Sequence, residues 1–158
     1  MKVVVGIGGS GSQCVTFVKQ VIQEIKHLSD VQILGASPIY ENPASGGVTV
    51  ATFANAALLL TTSQSLEGLW QHLHLLERRQ GRIRLIKNGP RTVDLDLLWA
   101  DQKPTQPWLR VPHPRFLERD FALIPALDAF KMAGLVAPLG WKASARALQG
   151  FSHLRAIS

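Results

Sequence analysis

Asp94 and Asp96 stand two residues apart in the run Gly89-Pro90-Arg91-Thr92-Val93-Asp94-Leu95-Asp96-Leu97-Leu98. Strand alternation puts both carboxylates on one face and Val93, Leu95 and Leu97 on the other. Two like charges so close repel unless a cation sits between them. Mg²⁺ suits the pair, because it takes oxygen ligands, keeps several waters and is completed by substrate phosphates. A solvated polar strand face balanced by Arg91 is the alternative. The neighbouring sequence favours the metal: ten of the 17 basic residues fall between Arg78 and Arg119, eight of them Arg, and the guanidinium fork matches phosphate oxygens. Acids for a metal beside Arg for phosphate are the two parts that phosphoryl transfer needs.

Other residues could join such a site. His74 and Glu77, three apart at helical spacing, share a helix face; either could be a plain surface residue, and for His74 alone that is the plainer reading. Phe53 and Asn55, two apart on a strand, would present an aromatic plate and an amide on one side. That pairing suits a flat, hydrogen-bonding heterocycle, unless Phe53 is simply core. His113 is held between Pro112 and Pro114, which fix its backbone. Gly6-Ile7-Gly8-Gly9-Ser10-Gly11 satisfies the G-x-G-x-x-G dinucleotide fingerprint, but the acid expected about 20 residues on, at the end of the second strand, is missing. A tight glycine turn beside the sheet is the better reading.

These residues need elements to carry them. Lys2 to Ile7 is a β-branched apolar run closed by glycines and reads as a buried strand. Cys14, Val18, Val21, Ile22, Ile25 and Leu28 recur at helical spacing, so an amphipathic helix runs to near Ser29-Asp30. A second strand spans about Val31 to Tyr40, Glu41 to Val48 is a loop, and a third strand covers Thr49 to Leu60. Ser63 or Ser65 caps a second helix, whose apolar stripe is Leu66, Leu69, Trp70, Leu73 and Leu76 and which runs to about Arg79. Gly81 to Arg91 is a basic loop and Val93 to Ala100 a fourth strand. Pro104, Pro107, Pro112 and Pro114 break the chain that follows; Arg119 to Phe130 forms a third helix, and a short helix covers Ser144 to Gln149. The order β-α-β-β-α-β predicts an α+β, ferredoxin-like antiparallel sheet with helices packed on one face, the other face free for ligands, and a C-terminal extension.

A chain of 158 residues, 46% hydrophobic and 18% charged, is not disordered and is too short for two ordinary domains, so residues 1–158 are expected to form one. No apolar run approaches the ~20 residues of a membrane span. The lone Cys14 suits a reducing compartment, and a cytoplasmic protein is expected. The net charge of +6 calls for an anionic partner or marks a merely solvated basic surface. Its concentration in one Arg-rich stretch favours a phosphorylated ligand. A nucleic-acid-binding sheet would need two or three stacking aromatics on its central strands, whereas the first strand has none and the third only Phe53.

Tyr40 to Pro43, Phe53-Ala54-Asn55-Ala56, His74 to Glu77, Gly81-Arg82-Ile83-Arg84, Gly89 to Leu97, Val111-Pro112-His113-Pro114-Arg115 and Glu118-Arg119-Asp120-Phe121 occur in this order over most of the chain. Together they resemble the 6-hydroxymethyl-7,8-dihydropterin pyrophosphokinases of folate biosynthesis. The resemblance implies Mg²⁺-dependent transfer of the β,γ-diphosphoryl group of ATP to the pterin's hydroxymethyl oxygen, with release of AMP. It implies that Asp94 and Asp96 hold two Mg²⁺ ions and that Arg82 and Arg91 stabilise charge on the transferring group. Arg84, His113 and Arg119 would hold the nucleotide, with His74, Glu77 and Leu97 near it. Phe53 and Phe121 would sandwich the pterin, while Asn55 and the backbone of Asn42, Pro43 and Ala44 read its edge. Asp96 is the candidate to receive the hydroxyl proton. The implied partners are ATP and a pterin, bound by a monomer, with neither nucleic acid nor membrane.

The chain departs from the family pattern in several places. Gly8-Gly9-Ser10-Gly11 stands where the family usually shows Gly-Ser-Asn. The Arg-rich loop is one residue short, with Asn88 where some members have Trp, Asn42 replaces a common Thr, and Ser45 to Val50 lacks the expected polar pattern. The alternative to an active enzyme is therefore a divergent paralogue that binds ATP or a pterin-like ligand without turnover.

Overall fold

The computed structural model describes residues 1–43, 52–79, 93–149 and 154–157. Strand β1 (Lys2–Ser10) pairs antiparallel with β4 (Thr52–Thr62) on one side and with β5 (Val93–Ala100) on the other. Strands β2 (Val31–Ala36) and β3 (Tyr40–Pro43) both pair with β4, and β6 (Arg155–Ala156) adds to β3. The spatial order is β5, β1, β4, β3, β6, with β2 also against β4. This is the α+β, ferredoxin-like arrangement expected from the element order. Every pairing among the described residues is antiparallel, which excludes the parallel sheet a dinucleotide fingerprint requires.

Several boundaries differ from expectation, among them the expected loop from Glu41, whose first residues, Glu41 to Pro43, are strand. The second strand is two strands, separated by Ser37-Pro38-Ile39. Ser37 keeps this connection on β4: its N–H donates to the Ala57 carbonyl and its Oγ accepts the Ala57 N–H, both at 2.9 Å. Pro38 has no N–H to continue the ladder. Strand β1 runs on through Gly8 and Gly9 to Ser10, so these glycines are strand rather than turn. Only Gly11, with φ +99°, adopts the left-handed backbone there, a conformation glycine reaches without steric cost. The short β6 in the tail was not expected.

Side-chain alternation divides the core into two layers. Val3, Val5, Ile7, Leu58, Leu60 and Leu95 point to one face, covered by α1 (Cys14–Lys26) and α2 (Leu66–Arg79) through Val18, Val21, Leu69 and Leu73. Ser65 is the cap of α2, its Oγ accepting the Gly68 N–H at 3.1 Å. On the other face Val4, Leu59 and Leu98 lie beneath α3 (Asp120–Met132) and α4 (Trp141–Gln149), packed with Leu123, Phe130 and Trp141. Trp141 meets Trp99, Phe116 and Phe130 edge to face, with centroids 5.7, 4.7 and 5.5 Å apart. Such pairs add about 0.5–1.5 kcal/mol each beyond area burial, and the buried Trp141 starts α4 three residues before the expected Ser144. The C-terminal extension thus covers part of the face expected to be free. What remains beside it is a groove.

Candidate active site

Gly8 is the centre of the groove floor. The strand register sets it between Asn55 of β4 and Asp94 of β5; two residues back, Gly6 lies between Ala57 and Asp96, and Ser10 pairs with Phe53. Neither glycine raises a side chain, so the space between the Asn55 amide and the Asp94 carboxylate stays clear. A Cβ built on Gly8 would lie 3.4 Å from Asn55 Oδ1, and one on Gly6 would lie 2.8 Å from Leu98 Cδ1. The glycine spacing that resembles a dinucleotide fingerprint serves here to keep a sheet surface bare.

The opposite wall is the segment from Arg115 into the first turn of α3. A 3₁₀ turn at Phe116–Glu118 is anchored by the buried Phe116, and Arg115, Glu118, Arg119, Asp120 and Phe121 then line a cavity of about 870 Å³ shared with the floor residues. Phe53 on the floor is 42% exposed and Phe121 on the wall 37%, so two large apolar faces stand open on the same cavity. The Arg119 guanidinium lies 5.7 Å from the Phe121 ring centroid, and Arg115 Nε is 3.6 Å from the Glu118 carboxylate. Asp94 and Asp96, both half-buried, complete the floor. Among the described residues no three metal-ligating groups converge. Two carboxylates on one strand face still suit Mg²⁺, which takes one or two from the protein and its other ligands from water and substrate phosphate. The groove can therefore set a metal-bound phosphate chain beside a flat ring.

His74, Glu77, Leu97 and His113 do not line that cavity; they lie at and behind β5, the strand that ends the main path of the sheet. The Leu97 side chain is buried among the helices, so it meets a ligand only through its backbone. Glu77 is 1% exposed, and its Oε1 accepts the Leu95 N–H at 2.6 Å. The carboxylate thus holds β5 at the residue between the two aspartates. His74 Nδ1 lies 3.6 Å from Glu77 Oε2. Its ring stacks on Trp70 at 3.9 Å, and Trp70 meets Trp108 at 5.0 Å. The His113 N–H donates to the Leu98 carbonyl at 2.9 Å, and its Nδ1 accepts the Arg115 N–H at 3.2 Å, leaving Nε2 to carry the ring proton.

Asn42 and Pro43 are placed by register alone, opposite Phe53 and Thr52. Arg82, Arg84, Arg91 and Ala44 lie outside the described residues. Sequence reasoning did not single out Gly6, Gly8, Arg115, Glu118 or Asp120 as lining residues. For the glycines a signal existed: period-two spacing on a strand, which clears one face of the sheet.

Residues 4–131 match the family described as 7,8-dihydro-6-hydroxymethylpterin-pyrophosphokinase (HPPK). The chain is 35% identical over 127 residues to the 2-amino-4-hydroxy-6-hydroxymethyldihydropteridine pyrophosphokinase of Helicobacter pylori, covering 78% of each chain. It is 30% identical over 128 residues to the protein of the same name from Pseudomonas aeruginosa, covering 80% of this chain and 79% of that one. With the Bacillus subtilis protein of that name it shares 32% identity over 125 residues, 78% of this chain and 75% of the relative. The matched segment includes both floor and wall of the groove, and the chain belongs to the 7,8-dihydro-6-hydroxymethylpterin pyrophosphokinase family, enzymes that transfer a pyrophosphoryl group in folate biosynthesis.

Proposed function

We propose that this chain is an active, Mg²⁺-dependent enzyme that moves the β,γ-diphosphoryl group of ATP to the hydroxymethyl oxygen of 6-hydroxymethyl-7,8-dihydropterin and releases AMP. The observation that supports it most is the uninterrupted row Asn55, Gly8, Asp94 across three strands. The Asn55 amide and the acidic pair share one bare surface, in a cavity that Phe53 and Phe121 also line.

Phe53 and Phe121 sandwich the ring, and Asn55 with the backbone of Asn42, Pro43 and Ala44 reads its edge. Asp94 and Asp96 hold two Mg²⁺ ions, which when bound neutralise phosphate charge and draw the two substrates together. His74, Leu97, His113 and Arg84 place the nucleotide along β5, Arg119 reaches its phosphates from the wall, and Glu77 fixes β5 from behind. Arg82 and Arg91 stabilise charge on the group in transit. The hydroxymethyl oxygen bonds to the β-phosphorus as the bond from that phosphorus to the α,β-bridging oxygen breaks. Asp96 takes the hydroxyl proton, and AMP leaves with the bridging oxygen. Residues 1–158 act as one cytoplasmic, monomeric unit with no nucleic-acid or membrane partner. The return of β6 to β3 supports the single unit, and no helix among the described residues is long and apolar enough to cross a membrane.

AMP release in the presence of the pterin and Mg²⁺ tests this reading. AMP and diphosphorylated pterin should appear together, disappear with a chelator, and fall to background in Asp96→Ala. Loss of one phosphate-facing Arg should cost roughly 2.7–4 kcal/mol in the barrier, by analogy with other preorganised donors. Wild-type release no higher than that of Asp96→Ala would leave a divergent paralogue that binds without turnover.

A further inference from the structure

Tyr40 stands on β3 directly opposite Asn55, and its hydroxyl donates a hydrogen bond to Asp128 Oδ2 on α3. Asp128 follows Phe121 by seven residues, two helical turns, so both lie along one side of α3. One hydrogen bond therefore joins the strand beside the ring-reading amide to the helix that carries the second aromatic plate. Other contacts fix the two bodies it connects. Strand β3 is paired to β4 on one side and to β6 on the other, where the Ile157 N–H donates to the Ile39 carbonyl at 2.9 Å. Helix α3 rests on β2 at Gly35, where a Cβ would come within 2.2 Å of the Ala129 carbonyl oxygen. That backbone contact sets the height of α3 above the sheet. The Tyr40 bond reaches the same helix from β3.

We propose that Tyr40 and Asp128 are positioning residues for the acceptor ring: their hydrogen bond sets the gap between Phe53 and Phe121 and so selects a flat ring of one thickness and placement. The inference rests on the assignment of the acceptor ring to that gap. The nucleotide, placed along β5, is not held by either residue.

Tyr40→Phe and Asp128→Asn, singly and together in the full chain, test it through the KM values for pterin and ATP, the thermal unfolding midpoint, and pterin affinity by calorimetry. Each single substitution should weaken pterin binding and raise pterin KM roughly 10-fold while leaving ATP KM within about twofold, as for loss of one hydrogen bond to a charged acceptor. The double variant should be no worse than either single one, because both remove the same bond. Equal rises in both KM values, additive effects, or a lower unfolding midpoint with unchanged pterin affinity would overturn the inference. Calorimetry separates it from the catalytic reading. Wild type that binds pterin but releases no AMP sinks only the reaction, unaltered affinity in Tyr40→Phe sinks only the positioning role, and a wild type that binds no pterin removes both.

Discussion

Tyr40 is the chain's single tyrosine, so its ionisation can be read directly from tyrosinate absorbance. Burial first, and then the Asp128 carboxylate, push its hydroxyl well above the ordinary tyrosine value. A value raised on folding means that folding disfavours the ionised hydroxyl, so stability is unaffected by this group at every pH below the unfolded tyrosine value, about 10, and falls as pH rises from there through the folded value. The titration should therefore show one transition displaced to higher pH, and Asp128→Asn should bring it back toward the ordinary value. Gly8 offers a second test at a single position. Val suits a strand and should leave stability within about 1 kcal/mol, yet its side chain would rise between Asn55 and Asp94. Gly8→Val should keep its unfolding midpoint within about 4 °C and lose most acceptor binding, measured by calorimetry; unchanged affinity would mean that the bare floor is not where the ring lies. At this scale the sequence was readable wherever period alone decides direction. Asp94, Asp96, Phe53 and Asn55 all fall on the face that alternation assigned to them. Glu77 was not readable in the same way, because helical spacing shows that it shares a face with His74 but not that the face turns inward.

Among the elements, α3 and β5 line the candidate site, and each makes one close contact that a single substitution can test. Gly35→Ala would press a methyl group against the Ala129 carbonyl, and since backbone cannot swing aside as a side chain can, the overpacking should cost about 1–3 kcal/mol. The unfolding midpoint should fall by several degrees, at roughly 2–4 °C per kcal/mol for a domain of this size. On β5, beyond its pairing with β1, the contact is with Glu77. Glu77→Ala removes the acceptor of the buried Leu95 N–H, at a cost of about 1–3 kcal/mol. Amide exchange at Leu95 should speed up more than at Val5 of the neighbouring strand; equal protection would mean that the carboxylate does not hold β5. The elements that sequence misplaced share one cause. The break between β2 and β3, the earlier start of α4 and the pairing of β6 with β3 are all fixed by partners distant in the chain, namely Ala57, Phe116 and Tyr40. Local period and composition carry no record of those partners.

For the whole molecule, the question the composition raised was where an excess of six positive charges would act. The described lining of the groove does not hold that excess: Arg115 and Arg119 stand there with four acids, Asp94, Asp96, Glu118 and Asp120, so both signs of charge meet around a space the size of a small-molecule site. The βαββαβ order made the sheet legible, and with it the existence of a second face. That α3 and α4 would cover part of that face and turn the rest into a groove was not legible. It depends on how Trp141, Phe130 and Leu123 meet Val4, Leu59 and Leu98, a match between surfaces rather than a pattern along the chain. That this groove joins the acceptor ring, the metal and the phosphates in one place is the central proposal. A crystal structure with the pterin, a non-hydrolysable ATP analogue and Mn²⁺ in place of Mg²⁺ tests it most directly, because anomalous scattering locates the metal without reference to the protein. The expected result is metal between the triphosphate and the carboxylates of Asp94 and Asp96, with the ring held between Phe53 and Phe121; metal bound away from both aspartates, with the ring outside that gap, would contradict it.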